Sequence, residues 1–192
     1  MPRLSRIHVV SARKGALMPS ADGSTADFDS LQFLDGASRR VIKSWIAREE
    51  QRLPIPWAPM RKRLSESRVA LISSAAVRLK SDRPFDEKGE RENPWWGDPS
   101  YRVIPRGAQS DETCLQHLHV ERSYGESDLD CVLPLTRLEE LAEAGVIGEP
   151  APSHYSFMGY LLRPGQFLRT SVPAIIERMK AEAVDAALLV PV

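Results

Sequence analysis

Val184-Asp185-Ala186-Ala187-Leu188-Leu189-Val190-Pro191-Val192 is a nearly unbroken apolar run. A run without polar alternation is what a strand buried on both faces requires. Before it, Leu168, Val172, Ile175, Ile176 and Met179 fall at helical spacing. This predicts a helix capped by Ser171, with Pro173 in its first turn, running to about Glu182. A helix feeding a fully buried strand is the signature of an α/β fold. The expected form is a mainly parallel sheet with helices on both faces, three-layer and Rossmann-like. A parallel strand ordinarily continues into a loop and a covering helix. The run instead reaches Val192 without one, so the sheet is expected to lack its C-terminal covering segment. Ligands and catalytic groups gather at that carboxyl edge in open α/β sheets.

Working outward, Arg68-Val69-Ala70-Leu71-Ile72-Ser73-Ser74-Ala75 reads as a second buried strand that feeds a loop. Tyr101-Arg102-Val103-Ile104 suits a short strand. Leu115 to Val120 alternates, which sets His117 and His119 on one face if extended. Cys131-Val132-Leu133 is expected to be a strand or its end, with Cys131 buried. Thr136-Arg137-Leu138-Glu139 has the capping-box pattern and should open a helix that stops at Gly145. Ser38 can cap a helix to about Gln51, with Val41, Ile42, Trp45 and Ile46 on one face. The prolines of Leu53-Pro54-Ile55-Pro56-Trp57-Ala58-Pro59 predict an extended segment that packs Trp57. Ser81 to Pro105 is long for a loop, a length often associated with function or mobility. Residues 1–35 lack periodicity and are expected to be a flexible extension, followed by a single α/β domain over 36–192.

The 192 residues hold 26 Lys+Arg and 26 Asp+Glu. The balance is uneven: residues 1–96 carry 18 basic and 12 acidic side chains, residues 97–192 carry 8 and 14. The densest basic stretch, Arg39 to Arg63, has no nucleic-acid-binding motif beside it and reads as a solvated surface. No run approaches a membrane span, no secretory leader pattern opens the chain, and two cysteines make no disulfide framework. A cytoplasmic protein with neither membrane nor nucleic acid as partner is expected.

His117-x-His119 can present two imidazoles to a metal, with Glu121, Asp128 or Asp130 as a third ligand, or can orient a substrate carboxylate. Cys114 follows Asp111 and Glu112, whose charge should raise its pKa and weaken it as a nucleophile. Gly-x-Ser-x-Gly, Walker A and Gly-x-Gly-x-x-Gly patterns do not occur. Ser153-His154-Tyr155-Ser156-Phe157-Met158-Gly159-Tyr160 is either a buried strand with aromatic fillers or a pocket wall built from His154, Tyr155 and Ser156.

Several of these stretches, with others, come in a familiar order. They are Arg68–Val77, Pro84-Phe85-Asp86, Gly97-Asp98-Pro99-Ser100-Tyr101-Arg102-Val103-Ile104-Pro105, His117-Leu118-His119, Leu133-Pro134-Leu135 with Arg137-Leu138, Gly145-Val146-Ile147-Gly148, His154–Tyr160 and Asp185–Val192. Together, over about residues 55–192, they resemble the selenoprotein B family of glycine/sarcosine/betaine reductases and the related selenocysteine subunit of D-proline reductase. The resemblance implies reductive C–N cleavage of an amino acid or amine, with dithiols as reductant. It implies a selenocysteine, or a cysteine, directly after Val192, which an in-frame UGA codon would encode. No catalytic residue is then expected within the 192 residues, which alone should be inactive. The resemblance also implies a pyruvoyl group on a partner subunit and a thioredoxin-like dithiol donor. His117, His119, His154, Tyr155 and Ser156 are the candidates for substrate binding, and no metal ligand is assigned. The alternative is a non-catalytic binding or scaffold subunit of a reductase complex, complete at Val192.

Overall fold

The computed structural model describes residues 31, 32, 34–47, 58–93 and 96–192. They belong to two compact units, one within 11–56 and one that includes 57–192. In the first, α1 spans Gly36–Ala47. Its cap is Asp35, not Ser38. Asp35 Oδ1 accepts the N–H groups of Ala37 and Ser38, so the helix starts two residues before the expected cap. The side chains of Trp45 and Ile46, the segment from 48 to Trp57, and nearly all of the expected extension over 1–35 lie outside the described residues.

The second unit runs in chain order through β1 (Arg68–Ser73), β2 (Val77–Leu79), α2 (Glu87–Glu92), β3 (Tyr101–Pro105), β4 (Thr113–Leu115), α3 (Arg122–Ser127), α4 (Leu135–Glu143), β5 (Glu149–Pro150), β6 (Ser153–Phe157), α5 (Gly165–Ala181) and β7 (Ala186–Val190). β1 is central. One edge pairs in parallel with β7, from Val69↔Ala186 to Ser73↔Val190. A strand has two edges, so β5 and β6 share the other, through Val69↔Pro150 and Ile72↔Tyr155. Three steps along β1 match five from Pro150 to Tyr155, so two extra residues bulge out between β5 and β6. β3 adds an antiparallel edge on β6, and β2 pairs with β4 as a separate ribbon.

Alternate residues of β1 enter opposite cores, as the period of two demands. Val69 and Leu71 pack with Leu133, Leu135, Leu138 and Ile147 on the α4 face. Ala70 packs with Ile175 and Met179 of α5 and with Ala187 and Tyr155 on the other. Helices therefore cover both faces of a mostly parallel sheet, the three-layer α/β fold expected from the C-terminal run.

Four local expectations are corrected. α5 begins at Gly165, and Pro173 lies in its interior, where both Pro173 and Arg169, whose carbonyl loses its partner, are exposed and open to water. Buried Ser171 does not cap; its Oγ donates to the Pro99 carbonyl. Leu129–Cys131 is a 3-10 turn rather than a strand, and Cys131 is exposed. β4 stops at Leu115, so His117 and His119 sit in a turn.

The capping box at Thr136 does not form either. α4 starts at Leu135 after Pro134, and Asp130 Oδ1 accepts the Thr136 N–H from outside the helix. Asp130→Ala should therefore cost about 1 kcal/mol, the ordinary value of a lost cap. Urea unfolding midpoints will show it, and an unchanged midpoint would deny Asp130 the capping role. The segment from Ser81 to Pro105 is not structureless, because it contains α2, capped by Asp86 Oδ1 on the Gly89 N–H.

Candidate functional site

The segments leaving β1, β6 and β7 meet at the carboxyl end of the sheet. Ser74, the residue after β1, donates its N–H to the Val190 carbonyl. Its Oγ accepts the Val192 N–H at 2.8 Å and lies 3.3 Å from the Val192 carbonyl. Gly159, just beyond β6, donates its N–H to the Ser74 carbonyl at 2.9 Å. A Cβ on Gly159 would lie 2.8 Å from that same oxygen, so only glycine lets the two exits close on each other. Next to Gly159, the Tyr160 carbonyl would stand 2.0 Å from a Cβ on Gly97.

Tyr160 leads to the histidines. Its ring lies 4.0 Å from that of His119, centroid to centroid, at 31°. His119 Nε2 is 2.8 Å from Glu90 Oε1. The His119 side chain is 47% exposed while the Glu90 carboxyl is 2% exposed. Glu90 Oε2 is buried with no hydrogen-bond partner among the described residues. Burial pushes the pKa of Glu90 up, and the His119 contact works against that rise. His117 is buried, and its Nδ1 accepts the His119 N–H at 3.1 Å. Burial, with His119 nearby, holds the pKa of His117 down. Gln116 ties the turn to α2, accepting from the Phe85 N–H and donating to Glu87.

The other sequence-predicted residues lie in the interior. His154 Nδ1 accepts the Leu71 N–H at 3.0 Å, the donor that the bulge between β5 and β6 leaves without a strand partner. Burial lowers the His154 pKa to about 4. Ser156 Oγ accepts the Val77 N–H at 2.8 Å. Tyr155 is fully buried beside Tyr101, with ring centroids 6.2 Å apart, and its hydroxyl has no partner among the described residues. Burial, then the nearby Glu182, hold the proton on that hydroxyl. The structure thus brings His117 and His119 together and sets His154 and Ser156 to work on backbone donors.

Among the described residues no three His, Cys, Asp or Glu side chains converge as a metal set. The three acids considered as third ligands have other work: Glu121 accepts the Ser123 N–H, Asp128 the Asp130 N–H, and Asp130 the Thr136 N–H. Cys114 has a raised pKa, but the leading cause is burial rather than Asp111 and Glu112. The Pro84-Phe85-Asp86 and Gly97–Arg102 stretches clamp one another. Asp98 Oδ2 accepts the Asp86 N–H, and the Arg102 guanidinium sits 4.1 Å from the Phe85 ring centre and donates to the Arg83 and Pro84 carbonyls. Sequence reasoning missed Glu90. Its one local signal is an acid inside a charged six-residue helix, which ordinarily marks a solvated face.

The chain is 32% identical over 136 residues to D-proline reductase subunit gamma of Acetoanaerobium sticklandii. The match covers 71% of this chain and 53% of that subunit, so the chain spans about half the length of the curated relative it matches. No protein-family description matches, and no solved structure matches. The similarity supports a relationship with the proline and glycine reductases. No helix among the described residues is long and apolar enough to cross a membrane.

Proposed function

We propose that this chain is the α/β part of a selenoprotein B-like reductase subunit. Its activity in the complex is reductive cleavage of a C–N bond in an amino acid or amine such as D-proline, glycine, sarcosine or betaine. The similarity to D-proline reductase subunit gamma carries this reading. The meeting of three strand exits around Ser74, at the sheet edge where α/β proteins hold their ligands, supports it.

In this reading the redox residue, selenocysteine or cysteine, follows Val192. Such a residue supplies a strong nucleophile for the substrate's α-carbon. The contribution of this chain is positional: the Ser74 hydroxyl fixes the backbone of Val192, and Gly159, held on the Ser74 carbonyl, leads into Tyr160, whose ring stacks on His119. The pyruvoyl group belongs to a partner subunit, and a dithiol or thioredoxin-like donor in the cytoplasm regenerates the redox residue. Leu188 and Leu189 are 49% and 46% exposed, an apolar edge suited to a covering segment or a partner subunit.

The test is to read the coding DNA past codon 192, then to assay the full product with its partner subunits. D-proline, glycine, sarcosine and betaine are offered with dithiothreitol. The expected result is an in-frame UGA or cysteine codon and turnover of one of these substrates, with none from the 192 residues alone. A UAA or UAG at codon 193, or an active 192-residue chain, would overturn the reading. The first of these outcomes favours a scaffold subunit that docks through the exposed β7 edge.

A further inference from the structure

We infer that His119 and Glu90 form a proton-transfer dyad at the carboxyl edge of the sheet, in which His119 Nδ1 protonates the departing nitrogen and Glu90 positions the ring. The inference rests on the reductase reading above and deepens it.

Of the three described histidines, two have Nδ1 committed to a backbone donor: His154 to the Leu71 N–H and His117 to the His119 N–H. Both are buried. His119 differs in each respect. Its Nε2 is taken by Glu90 Oε1, its Nδ1 makes no hydrogen bond among the described residues, and nearly half of the side chain meets solvent. A carboxylate that holds one imidazole nitrogen fixes the tautomer and leaves the other nitrogen for chemistry. The neutral ring then carries its proton on Nε2.

Glu90 is unlike a surface salt-bridge partner. Its side chain is almost fully buried, and Oε2 has no hydrogen-bond partner among the described residues. A carboxyl serving only to tie the turn to α2 would gain by satisfying both oxygens. The groups facing the pair are Glu87 and Arg91 on α2, His117 in the turn and Tyr160 against the His119 ring. The Tyr160 stack sets the ring plane. The dyad is linked to the strand exits by successive contacts: His119 on Tyr160, Gly159 on Ser74, and Ser74 on Val192.

The step balances without a further oxidant or reductant. A thiolate or selenolate gives its electron pair to the substrate carbon and the C–N bond breaks. That bond's electron pair stays on nitrogen, which takes the proton from Nδ1 of the His119 imidazolium. The ring becomes neutral with its Nε2 proton retained on the Glu90 side, and water restores the Nδ1 proton.

The test uses the reconstituted reductase complex, with initial rates across pH 5.5 to 9. His119→Ala should lower kcat by about 100-fold with KM within about 2-fold, as loss of a general acid does. Added imidazole should restore part of the rate, which a purely structural loss would not allow, while the thermal midpoint falls because the buried Glu90 carboxyl loses its partner. Glu90→Gln should lower kcat by about 10-fold and displace the alkaline limb of the profile, the side on which a general acid loses its proton. A His119→Ala enzyme with wild-type rate and pH profile overturns the dyad. A second readout does not depend on turnover: nitrogen-15 spectra of the wild-type chain should show neutral His119 protonated on Nε2. Protonation on Nδ1 overturns the dyad whatever the activity. If the wild-type complex turns over none of the four substrates, the reductase reading falls, and the tautomer alone decides the dyad.

Discussion

Lowering the pH from 6.5 to about 4 should remove about 3 kcal/mol of folding stability through one residue, His154. In the folded chain its Nδ1 must stay unprotonated to accept the Leu71 N–H, and the side chain is 1% exposed. Burial therefore depresses its pKa from 6.5 to about 4. Between these values the unfolded chain binds the proton and the folded chain does not. Stability thus falls as pH falls through that window. It is fully present above pH 6.5, and the loss stops once the folded chain also protonates. Carboxylates add their own acid dependence, so the readout is a difference between two proteins. His154→Asn keeps an acceptor oxygen near the place of Nδ1 but has no proton to gain, and its urea midpoints should be flatter from pH 4 to 6.5. His154→Ala should cost about 3 kcal/mol or more at pH 7, because it orphans a buried N–H and leaves a cavity. Parallel pH curves for wild type and His154→Asn would refute this role.

The same residue shows where sequence reasoning reaches and where it stops. A strand over 153–160 is legible from its apolar and aromatic residues, and β6 forms there. The task of His154 is not legible, because the N–H it satisfies is orphaned by a two-residue bulge between β5 and β6. That bulge is a property of pairing between distant segments. β1, α5 and β7 are legible from unbroken apolar runs and helical spacing, but the run in β7 overstates burial: Ala186 and Ala187 are buried while Leu188 and Leu189 are exposed. Local propensity misplaced the start of α5. Ser171 and Pro173 form a plausible helix opening, yet six preceding residues extend the helix, and tertiary packing turns Ser171 toward Pro99. For the candidate site, the alternation around His117 and His119 predicts a shared strand face that does not form. They share a turn rather than a strand face, and the partner that distinguishes His119 lies 29 positions away in α2. A pair at that separation leaves no trace in periodicity.

Gly97→Ala should be among the most damaging single changes, at about 3 kcal/mol, the upper part of the ordinary cost of overpacking. The requirement at Gly97 is space, not an unusual backbone angle. An added Cβ would stand 2.0 Å from the Tyr160 carbonyl oxygen and 3.1 Å from Leu161 Cδ2. The leucine tip can turn away, but the carbonyl is backbone, so the clash is relieved only by moving the chain. That movement shifts Tyr160, whose ring stacks on His119, and with it the segment that Gly159 anchors to the Ser74 carbonyl. The expected result is a lower thermal midpoint together with a perturbed His119 ring environment, seen as changed His119 side-chain NMR shifts. Gly145→Ala serves as the control. Gly145 has φ of +68° but open space around its Cβ, so its cost is conformational, about 1 kcal/mol, with no effect at His119. If the two variants destabilise equally and neither moves the His119 resonances, then Gly97 does not support the wall of the site. The coupling from Gly97 through Tyr160 to the sheet edge would then be absent.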